Sequence, residues 1–273
     1  IEYIIHNKVA PKGCIVYNLS RDGVKPGKKS LIPAFCDLYG IKYTGSDAFV
    51  ISLLRNKKTC SDVLLQNGIH VPITYTFIPG HTSQADMLNV FEEMDILIKN
   101  IDESASIGLT SRCRMKLNRE SYQQFHDTAL EVNSKHVLVQ EFIAGIECEV
   151  LVIKYQGQYF ALNPVEIIFS DGQVFMDSET SNAYRYTFKL LEGASSKEVQ
   201  KLATKAAETL NIKDYARFDF RIRNGTPYLF DIAGTPYTIH HSSIAYLFEQ
   251  YGVKYEDIHK VIVTCMLSNY QND

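Results

Sequence analysis

The chain lacks a long apolar run, since no stretch of its 273 residues comes near the roughly 20 consecutive apolar residues of a membrane-spanning helix. It also lacks an excess of either charge, because 28 Lys and Arg against 31 Asp and Glu leave a net charge of -3. Such a balance gives no electrostatic footprint for nucleic acid or for an anionic membrane. The sequence therefore predicts chemistry on small molecules, with neither nucleic acid nor a membrane as a partner.

The first residues, Ile1–Asn7, lack an initiator methionine and also lack the charged segment and apolar core of a secretory signal. They predict a cytoplasmic protein that has been trimmed at its N-terminus. The six cysteines include no Cys-x-x-Cys pair, which fits reduced thiols better than a disulfide framework or a zinc site. They are Cys14, Cys36, Cys60, Cys113, Cys148 and Cys265.

Length and apolar content favour more than one compact unit. With 45% apolar residues, the chain can form one large core or smaller separate ones, so two or three units are expected. Strand-like and helix-like segments alternate irregularly without an internal repeat, which indicates an α/β or α+β protein. Helical patterns lie at 29–39, 47–66, 83–94, 121–131 and 196–210, and strand patterns lie at 13–19, 41–43, 73–78, 95–100, 137–143, 147–153 and 159–168.

The most informative segment is a pair of alternating strands within 216–233 that meet at Asn224-Gly225. It carries two acids, Asp219 and Asp231, which can share a magnesium ion only if they point the same way. A loop of Asn224-Gly225 alone sets Asp219 opposite Phe230, whereas a three-residue loop sets Asp219 opposite Asp231. The three-residue loop is the one that a metal site requires. The alternative is an amphipathic surface hairpin with solvated charges.

Seven short motifs between about residue 15 and the end of the chain occur in the order and near-spacing of a known family. They are Lys42-Tyr43-Thr44-Gly45, Asn56-Lys57, Asn67-Gly68-Ile69, Ile98-Lys99, Val137 to Glu147, Arg217-Phe218-Asp219 and Phe230 to Pro236. Together they resemble the D-alanine-D-alanine ligase branch of the ATP-grasp superfamily. The resemblance implies an α+β protein in which two α+β lobes clasp ATP, preceded by a shortened α/β N-terminal domain. The implied domains are 1–56 and 57–273, the latter divided into a small lobe of about 57–137 and a C-terminal lobe of about 138–273.

The resemblance also implies a nucleotide site. Lys57 and Lys99 match the two phosphate lysines, where a compact ammonium adjusts well to phosphate oxygens. Without the resemblance, both lysines would be read as solvated surface charges. The remaining contacts implied are a hinge on the adenine edge at Glu141, Phe142 and Ile143, a ribose carboxylate at Glu147 and an aromatic ring on the adenine at Phe230. Phe142 and Ile143 fit a plain core role equally well.

The same resemblance implies the chemistry. Asp219 and Asp231 match the ligands of one or two Mg²⁺ ions, and Arg217 matches the arginine that stabilises a tetrahedral intermediate. Ser106 is retained from the family's substrate loop, and Ser242 stands where the family binds the carboxylate of the second substrate. In the implied reaction, a carboxylate attacks the γ-phosphate of ATP and an amine then displaces phosphate from the acyl phosphate. The expected partners are small amino-acid-like substrates, with a homodimer as a further expectation.

Several positions depart from the family pattern. Ala233 replaces an asparagine that binds metal, Ala105 replaces a substrate-side hydroxyl, and Ser181 replaces a third phosphate lysine. Tyr237 replaces a glycine and is expected to crowd the substrate pocket. The glycine-rich first strand of the family has no counterpart in Ile1–Cys14. The substrate half of the site has therefore diverged more than the nucleotide half.

Three hypotheses remain open. The leading one is an ATP-dependent carboxylate-amine ligase whose substrate is D-alanine or another amino acid. The second is a catalytically degenerate ATP-grasp protein that binds nucleotide and acts as a regulatory or interaction module, and the losses at Ala233, Ala105 and Ser181 favour it. The third is a D-alanine-D-alanine ligase whose missing parts come from a segment upstream of this sequence. Fold kinship does not by itself fix a substrate.

Overall fold

The computed structural model describes residues 6, 13–19, 27, 29–101 and 108–271. In these ranges the helices are α1 (Leu31–Leu38), α2 (Ala48–Arg55), α3 (Lys57–Gln66), α4 (Gln84–Phe91), α5 (Tyr122–Val132), α6 (Ser178–Asn182), α7 (Gly193–Thr209), α8 (Ser243–Gln250) and α9 (Ile258–Asn269). None of these described helices is long and apolar enough to cross a membrane. The strands are β1 (Ile15–Val16), β2 (Lys42–Tyr43), β3 (Thr74–Phe77), β4 (Met94–Asn100), β5 (Arg114–Leu117), β6 (Val137–Glu141), β7 (Ile146–Tyr155), β8 (Gln158–Ala161), β9 (Val165–Phe169), β10 (Tyr186–Leu190), β11 (Tyr215–Arg223) and β12 (Thr226–Ala233).

Within the described ranges, the strands form three sheets. The largest has the order β10-β9-β7-β11-β12, with β8 paired to β7, and its neighbours are antiparallel. A four-stranded antiparallel sheet has the order β3-β6-β4-β5, and β1 pairs with β2 in parallel. We use the term large lobe for the largest sheet with its helices and small lobe for the four-stranded sheet with α4 and α5. Helices and antiparallel strands therefore build an α+β protein.

Alternation along β7 and β11 gives the large sheet one apolar face. Val150, Phe218 and Phe220 are fully buried on this face, where they pack against α7. The helix presents small side chains there, including Ala203 and Ala206, so its backbone lies close to the sheet. Burying each phenylalanine contributes about 1.5–3 kcal/mol to folding. The intervening residues of both strands must then face the other side of the sheet, where the cleft lies.

The small lobe has its own apolar core. Ile98 on β4 and Val139 on β6 are fully buried between the sheet and the two helices beneath it. Phe91 from α4 and Phe125 from α5 are also completely buried, and the Phe125 ring packs edge-on against Phe77 at a centroid distance of 4.9 Å. Because the two lobes have separate cores, the groove between them can be lined by polar groups at little cost to either core.

A buried aspartate joins the N-terminal segment to the large lobe. Asp214 is fully buried and accepts hydrogen bonds from the backbone N–H of Gly45 at 2.9 Å and from Asn269 Nδ2 at 2.9 Å. Burial raises the pKa of this carboxyl, and the two hydrogen bonds oppose that effect. The chain between β2 and α2 is thereby fixed to β11 and to the last helix.

The helix predicted over 47–66 is divided in two, so the prediction of one continuous helix is wrong. Asn56 ends α2 with non-helical backbone angles, and its side chain accepts a hydrogen bond from Thr59 N at 3.2 Å as the cap of α3. An asparagine can satisfy this helix start locally, which hydrophobic periodicity does not register. The break makes Lys57 the first residue of α3, and Val50 and Leu54 of α2 pack into the core of the large lobe.

The loop between β11 and β12 is shorter than predicted, although Asp219 still lies opposite Asp231 as predicted. Arg223 pairs with Thr226, so the loop is the two-residue Asn224-Gly225, with φ values of 52° and 80° as a tight hairpin turn needs. A β-bulge next to Asp219 then shifts the register and sets Asp219 opposite Asp231. The three-residue loop is therefore wrong, and the facing acids are confirmed for a different physical reason. The strands are also buried, so a solvated surface hairpin is excluded.

Gly145, which leads from β6 into β7, provides a test of this backbone path. Its φ is +142°, and a Cβ atom there would lie 2.0 Å from the carbonyl oxygen of Ile222, so we expect Gly145→Ala to lower the free energy of unfolding by about 3 kcal/mol or more. Gly157 also has a positive φ but has open space at its Cβ position, so Gly157→Ala should cost only about 1–2 kcal/mol. Urea unfolding measures both changes. Equal losses would show that the tight contact at Gly145 is not as described.

Candidate active site

A cleft of about 620 Å³ lies between the two lobes, and both sheets contribute to it. Every site residue predicted from the sequence lines this cleft if it lies in the described part of the chain. These residues are Lys57, Lys99, Glu141, Phe142, Ile143, Glu147, Arg217, Asp219, Phe230, Asp231, Tyr237 and Ser242. Ser106 and Ala105 lie outside the described residues. The sequence thus identifies one contiguous concave site, which is the usual form of a small-molecule site.

Three carboxylates stand side by side on the cleft face of the large sheet. Asp219 on β11 pairs directly with Glu149 on β7 and with Asp231 on β12. Directly opposed residues in antiparallel strands have Cβ atoms about 4.5–5.5 Å apart, so the three acids are immediate neighbours. We use the term acidic row for Glu149, Asp219 and Asp231. Glu149 was missed in the sequence because no motif includes it, although its alternation with Glu147 was a usable signal.

Arg217 neutralises two members of the acidic row. Its Nε donates to Asp219 Oδ1 at 2.7 Å and its NH2 donates to Asp219 Oδ2 at 2.8 Å, which is a bidentate pair. The same NH2 lies 3.1 Å from Glu149 Oε1. Burial raises the pKa of Asp219 to about 7, with the neighbouring Glu149 and Asp231 adding to the effect and Arg217 opposing it. An arginine suits this place because its planar fork contacts both acids at once.

Lys57 neutralises the third acid. Its Nζ lies 3.0 Å from Asp231 Oδ2, and the two side chains are 12% and 27% exposed, so this is a partly buried ion pair rather than a surface one. A cation at the first position of a helix is opposed by the helix dipole, and the aspartate offsets that cost. Burial alone would raise the pKa of Asp231, but Lys57 and Lys99 outweigh burial and lower it. The reading of Lys57 as a solvated charge is therefore wrong.

Lys99 lies on the small-lobe side of the cleft. Its Nζ donates to Gln140 Oε1 at 2.7 Å and lies 5.2 Å from the centre of the Phe230 ring. Burial lowers the pKa of Lys99 to about 7, and the positive charge of Lys57 adds to the shift. A buried lysine whose ammonium bonds to a neutral amide oxygen is well placed to receive an anion. A surface role for Lys99 is excluded.

A buried arginine and a buried glutamate lie next to the predicted adenine hinge at 141–143. Arg221 forms a buried ion pair with Glu147 and donates to the carbonyl oxygens of Ile143 at 3.1 Å and Val174 at 2.7 Å. The ring of Phe142 lies 4.6 Å from the Arg221 guanidinium. Burial raises the pKa of Glu147, and Arg221 opposes that shift. Arg221 was not singled out in the sequence, and its place two residues after Asp219 on the same strand face was the available signal.

Nearby, Phe142 is also covered on the small-lobe side, since the Arg114 guanidinium lies 4.1 Å from its ring. Glu141 pairs with Arg223 at 2.8 Å, so its side chain fixes the hairpin to the hinge. The segment 171–186 contains α6. There, Ser178 N donates to the carbonyl oxygen of Leu109 at 2.9 Å, which connects this segment to the small lobe.

Ser242 and Tyr237 also line the cleft. The Ser242 hydroxyl donates to the carbonyl oxygen of Ile239 at 2.6 Å and accepts from Ala245 N at 3.2 Å, so it caps α8. Its one proton is thus engaged within the protein. Three aromatic rings also line the cleft and surround His241, and they are Tyr184, Tyr186 and Phe188, with centroid distances of 4.7, 4.9 and 5.3 Å.

The acidic row fits a hard divalent cation in part. Among the described residues, no group of three or more His, Cys, Asp or Glu side chains is arranged to hold a metal ion by itself. Asp219 and Asp231 are nonetheless directly opposed and face the cleft. Mg²⁺ is commonly held by one or two carboxylates together with substrate phosphates, so two aspartates and a polyphosphate form a suitable ligand set. Ala233 brings no oxygen from its side chain.

Comparison with known proteins gives consistent matches. A family model described as "D-ala D-ala ligase C-terminus" matches residues 64–264. The chain is 25% identical over 242 residues to a D-alanine--D-alanine ligase of Aquifex aeolicus, covering 87% of this chain and 78% of the relative. It is 27% identical over 239 residues to a protein of the same name from Polaromonas sp., with 85% and 69% covered.

Solved structures are similar in fold. The D-Ala:D-Ser ligase from Enterococcus faecalis has a TM-score of 0.73 at 18% identity, with 92% of this chain and 72% of that chain covered. The D-alanine--D-alanine ligase from Bacillus anthracis complexed with ATP has a TM-score of 0.69 at 16% identity, with 87% and 74% covered. Identities this low support the fold and leave substrate details to the site itself.

The pKa of Lys99 generates a test by calorimetry. A lysine with a pKa of about 7 is mostly neutral at pH 8, and a bound polyphosphate favours its charged form, so ADP binding at pH 8 should take up close to one proton. Comparing binding heats in buffers of different ionisation enthalpy measures this uptake. Lys99→Met should abolish it and weaken ADP binding about tenfold or more, because a charge-assisted contact is lost. Lys58→Met, on an exposed lysine paired with Asp62, is the control and should change neither quantity. Unchanged uptake in Lys99→Met would contradict the assignment.

Proposed function

We propose that this chain, which belongs to the D-ala D-ala ligase C-terminus family, joins two small amino-acid-like substrates through an acyl phosphate formed from ATP. The predicted ATP-grasp fold and ATP-dependent ligase class are confirmed by the family match and the relatives. D-Alanine is the first candidate substrate, because the relatives carry its name. The diverged substrate end leaves another amino acid as the alternative. We also propose Mg²⁺ as the metal.

The observation that carries this proposal is the arrangement of charges in the cleft. The opposed Asp219 and Asp231 line the same cleft as Lys57 and Lys99, and Lys57 pairs with Asp231 at 3.0 Å. A polyphosphate with its divalent cation satisfies both groups at once: the cation takes aspartate oxygens and the phosphates take the ammonium groups. In a cleft of low dielectric, such fixed charges act more strongly than they would in water.

The nucleotide roles follow from where each group lies. Lys57 and Lys99 hold phosphate oxygens, and the hinge strand at 141–143 presents backbone groups to the adenine edge. Phe230 lies next to Lys99 and offers a flat apolar surface to the base. Glu147 accepts from the ribose hydroxyls once Arg221 holds it in place. Mg²⁺ would be held by Asp219 and Asp231, and it supplies neutralisation of charge on the transferring phosphoryl group.

In the first chemical step, a carboxylate oxygen of one substrate attacks the γ-phosphorus and ADP leaves, which gives an acyl phosphate. Lys57 and Arg217 stabilise the developing charge. In the second step, the amine of the other substrate attacks the acyl carbon, phosphate leaves, and the amine nitrogen loses a proton. Arg217 stabilises the oxyanion, and Ser242 and Tyr237 bound the space for the second substrate. No covalent bond to the enzyme is required. Ser106 is proposed as a further substrate contact by resemblance alone.

The same proposal places the protein in the cytoplasm, where ATP and Mg²⁺ are available and thiols stay reduced. All six cysteines are free in the structure, which agrees with a reducing compartment. Assembly as a homodimer stays a prediction. The degenerate-module alternative draws support from Ala233, which gives the metal site no third ligand. It predicts nucleotide binding without turnover, so the two readings separate in one assay.

That assay measures phosphate release from ATP with a panel of acid and amine pairs, starting with D-alanine as both substrates. We expect Mg²⁺-dependent release that requires both an acid and an amine. Binding of Mg²⁺-ADP without release for any pair would favour the degenerate module. Release that appears only when upstream residues are added would favour the third hypothesis, in which the site is completed from outside this sequence.

Neutralising either acid tests the metal role. Asp219→Asn and Asp231→Asn should each lower turnover about a hundredfold or more, because one aspartate cannot hold the cation and the phosphates together. Both variants should still unfold cooperatively in urea, since Arg217 keeps Glu149 as a charged partner and the Lys57 ammonium faces a cleft that water can enter. Asp62→Asn, which removes an exposed acid of α3, is the matched control and should keep full turnover. A doubly neutralised variant that still turns over ATP would exclude the metal role.

A further inference from the structure

Glu149 is the member of the acidic row that no motif of the sequence explains. It lies on β7 in the cleft with a side chain 12% exposed, and its two oxygens have different partners. Oε1 contacts NH2 of Arg217 at 3.1 Å, and Oε2 accepts a hydrogen bond from the Ser243 hydroxyl. A buried carboxylate is costly unless it is paired and hydrogen-bonded, and here both conditions are met.

Ser243 gives Glu149 a fixed position. It is the first residue of α8, directly after the capping residue Ser242, and it is 4% exposed. A residue at a helix start inside a packed region has little freedom, so its hydroxyl holds the Glu149 carboxylate in one orientation. The contact joins β7 to α8, two elements that are far apart in the sequence. Helix start, carboxylate and guanidinium thus form one connected chain of hydrogen bonds.

Arg217 contacts two acids, Glu149 and Asp219, and its contact with Asp219 affects how that aspartate can bind a metal ion. Both oxygens of Asp219 are engaged by Arg217, at 2.7 and 2.8 Å. A divalent cation binds to at least one of those oxygens, and the guanidinium charge so close to them opposes its approach, so metal binding favours release of part of the contact between Asp219 and Arg217. An arginine left without an anionic partner in a buried cleft would oppose that release. Glu149 remains beside Arg217 whatever Asp219 does.

Building on the proposed function, we propose that Glu149, fixed by Ser243, is a positioning residue that keeps Arg217 in place so that Asp219 can turn its oxygens to the divalent cation that accompanies the nucleotide. Asp231 needs no such help, because its partner Lys57 is a flexible side chain that can move to a phosphate. The acidic row therefore has one fixed member, Glu149, and two members that exchange a protein cation for the metal.

The test is the Mg²⁺ concentration that gives half of the maximal thermal stabilisation by saturating ADP, measured for the whole chain. Ligands that bind only the folded state raise its melting temperature, so this readout does not depend on turnover. Glu149→Gln should raise the half-maximal Mg²⁺ concentration about tenfold or more, which corresponds to the loss of one charge-assisted hydrogen bond. The smaller stabilisation by ADP in EDTA should stay unchanged, because the proposed nucleotide contacts do not include Glu149.

Two further variants separate positioning from a simple effect of charge. Glu149→Asp keeps the charge but is too short to reach both partners, so it should behave like Glu149→Gln. Ser243→Ala keeps Glu149 but removes its anchor, and it should raise the Mg²⁺ requirement about threefold. Both also serve if Glu149→Gln does not fold. Glu166→Gln is the matched control, because Glu166 lies on the same sheet opposite Cys148, on the face turned away from the cleft.

Failure of this inference and failure of the proposed function give different results. A Mg²⁺ requirement for Glu149→Gln and Glu149→Asp within twofold of the unchanged protein would overturn the inference. A normal value in Glu149→Asp together with a raised value in Glu149→Gln would also overturn it, because charge alone would then explain the effect. If the unchanged protein shows no stabilisation by ADP at any Mg²⁺ concentration, the proposed function itself is overturned, and the inference with it.

Discussion

The interaction on which the site depends is the pairing of buried acids with cations on the cleft face of the large sheet. Glu149 and Asp219 share Arg217, and Asp231 pairs with Lys57. Acids this close to one another could not stay charged in a low-dielectric cleft without those cations. The cations therefore favour the charged form of these acids, and in the proposed function Asp219 and Asp231 exchange part of their contacts with protein cations for the metal, whereas Glu149 stays on Arg217.

The rest of the fold places these groups. Alternation along β7 and β11 sends apolar side chains to α7 and charged ones to the cleft, so the same strands build the core and the site. A bulge in the hairpin aligns Asp219 with Asp231, and the helix break at Asn56 brings Lys57 to the acid. The bulge and the helix break each involve only a few neighbouring residues, yet the contacts that they make possible join residues far apart in the sequence.

Much of the site could be predicted from the sequence, because motif spacing identified the residues that line the cleft. The failures have physical causes. Turn chemistry at Asn224-Gly225 favours a two-residue loop, and a bulge has no pattern of its own, so the correct facing of Asp219 was reached through a wrong loop. Asn56 caps a helix within a run of helical period. Glu149 matches no motif, and only strand pairing shows that it adjoins Arg217.

The central claim is that nucleotide and divalent cation bind in this cleft together. The cation takes the place of protein cations on the aspartates, and the phosphates take the place of the aspartate on Lys57. The most direct measurement is the dissociation constant of ADP by calorimetry, in EDTA and at saturating Mg²⁺. The account predicts binding at least about a hundredfold tighter with Mg²⁺, a coupling of about 3 kcal/mol, and an equal effect of ADP on Mg²⁺ affinity. Equal ADP affinity in EDTA and in Mg²⁺ would contradict it.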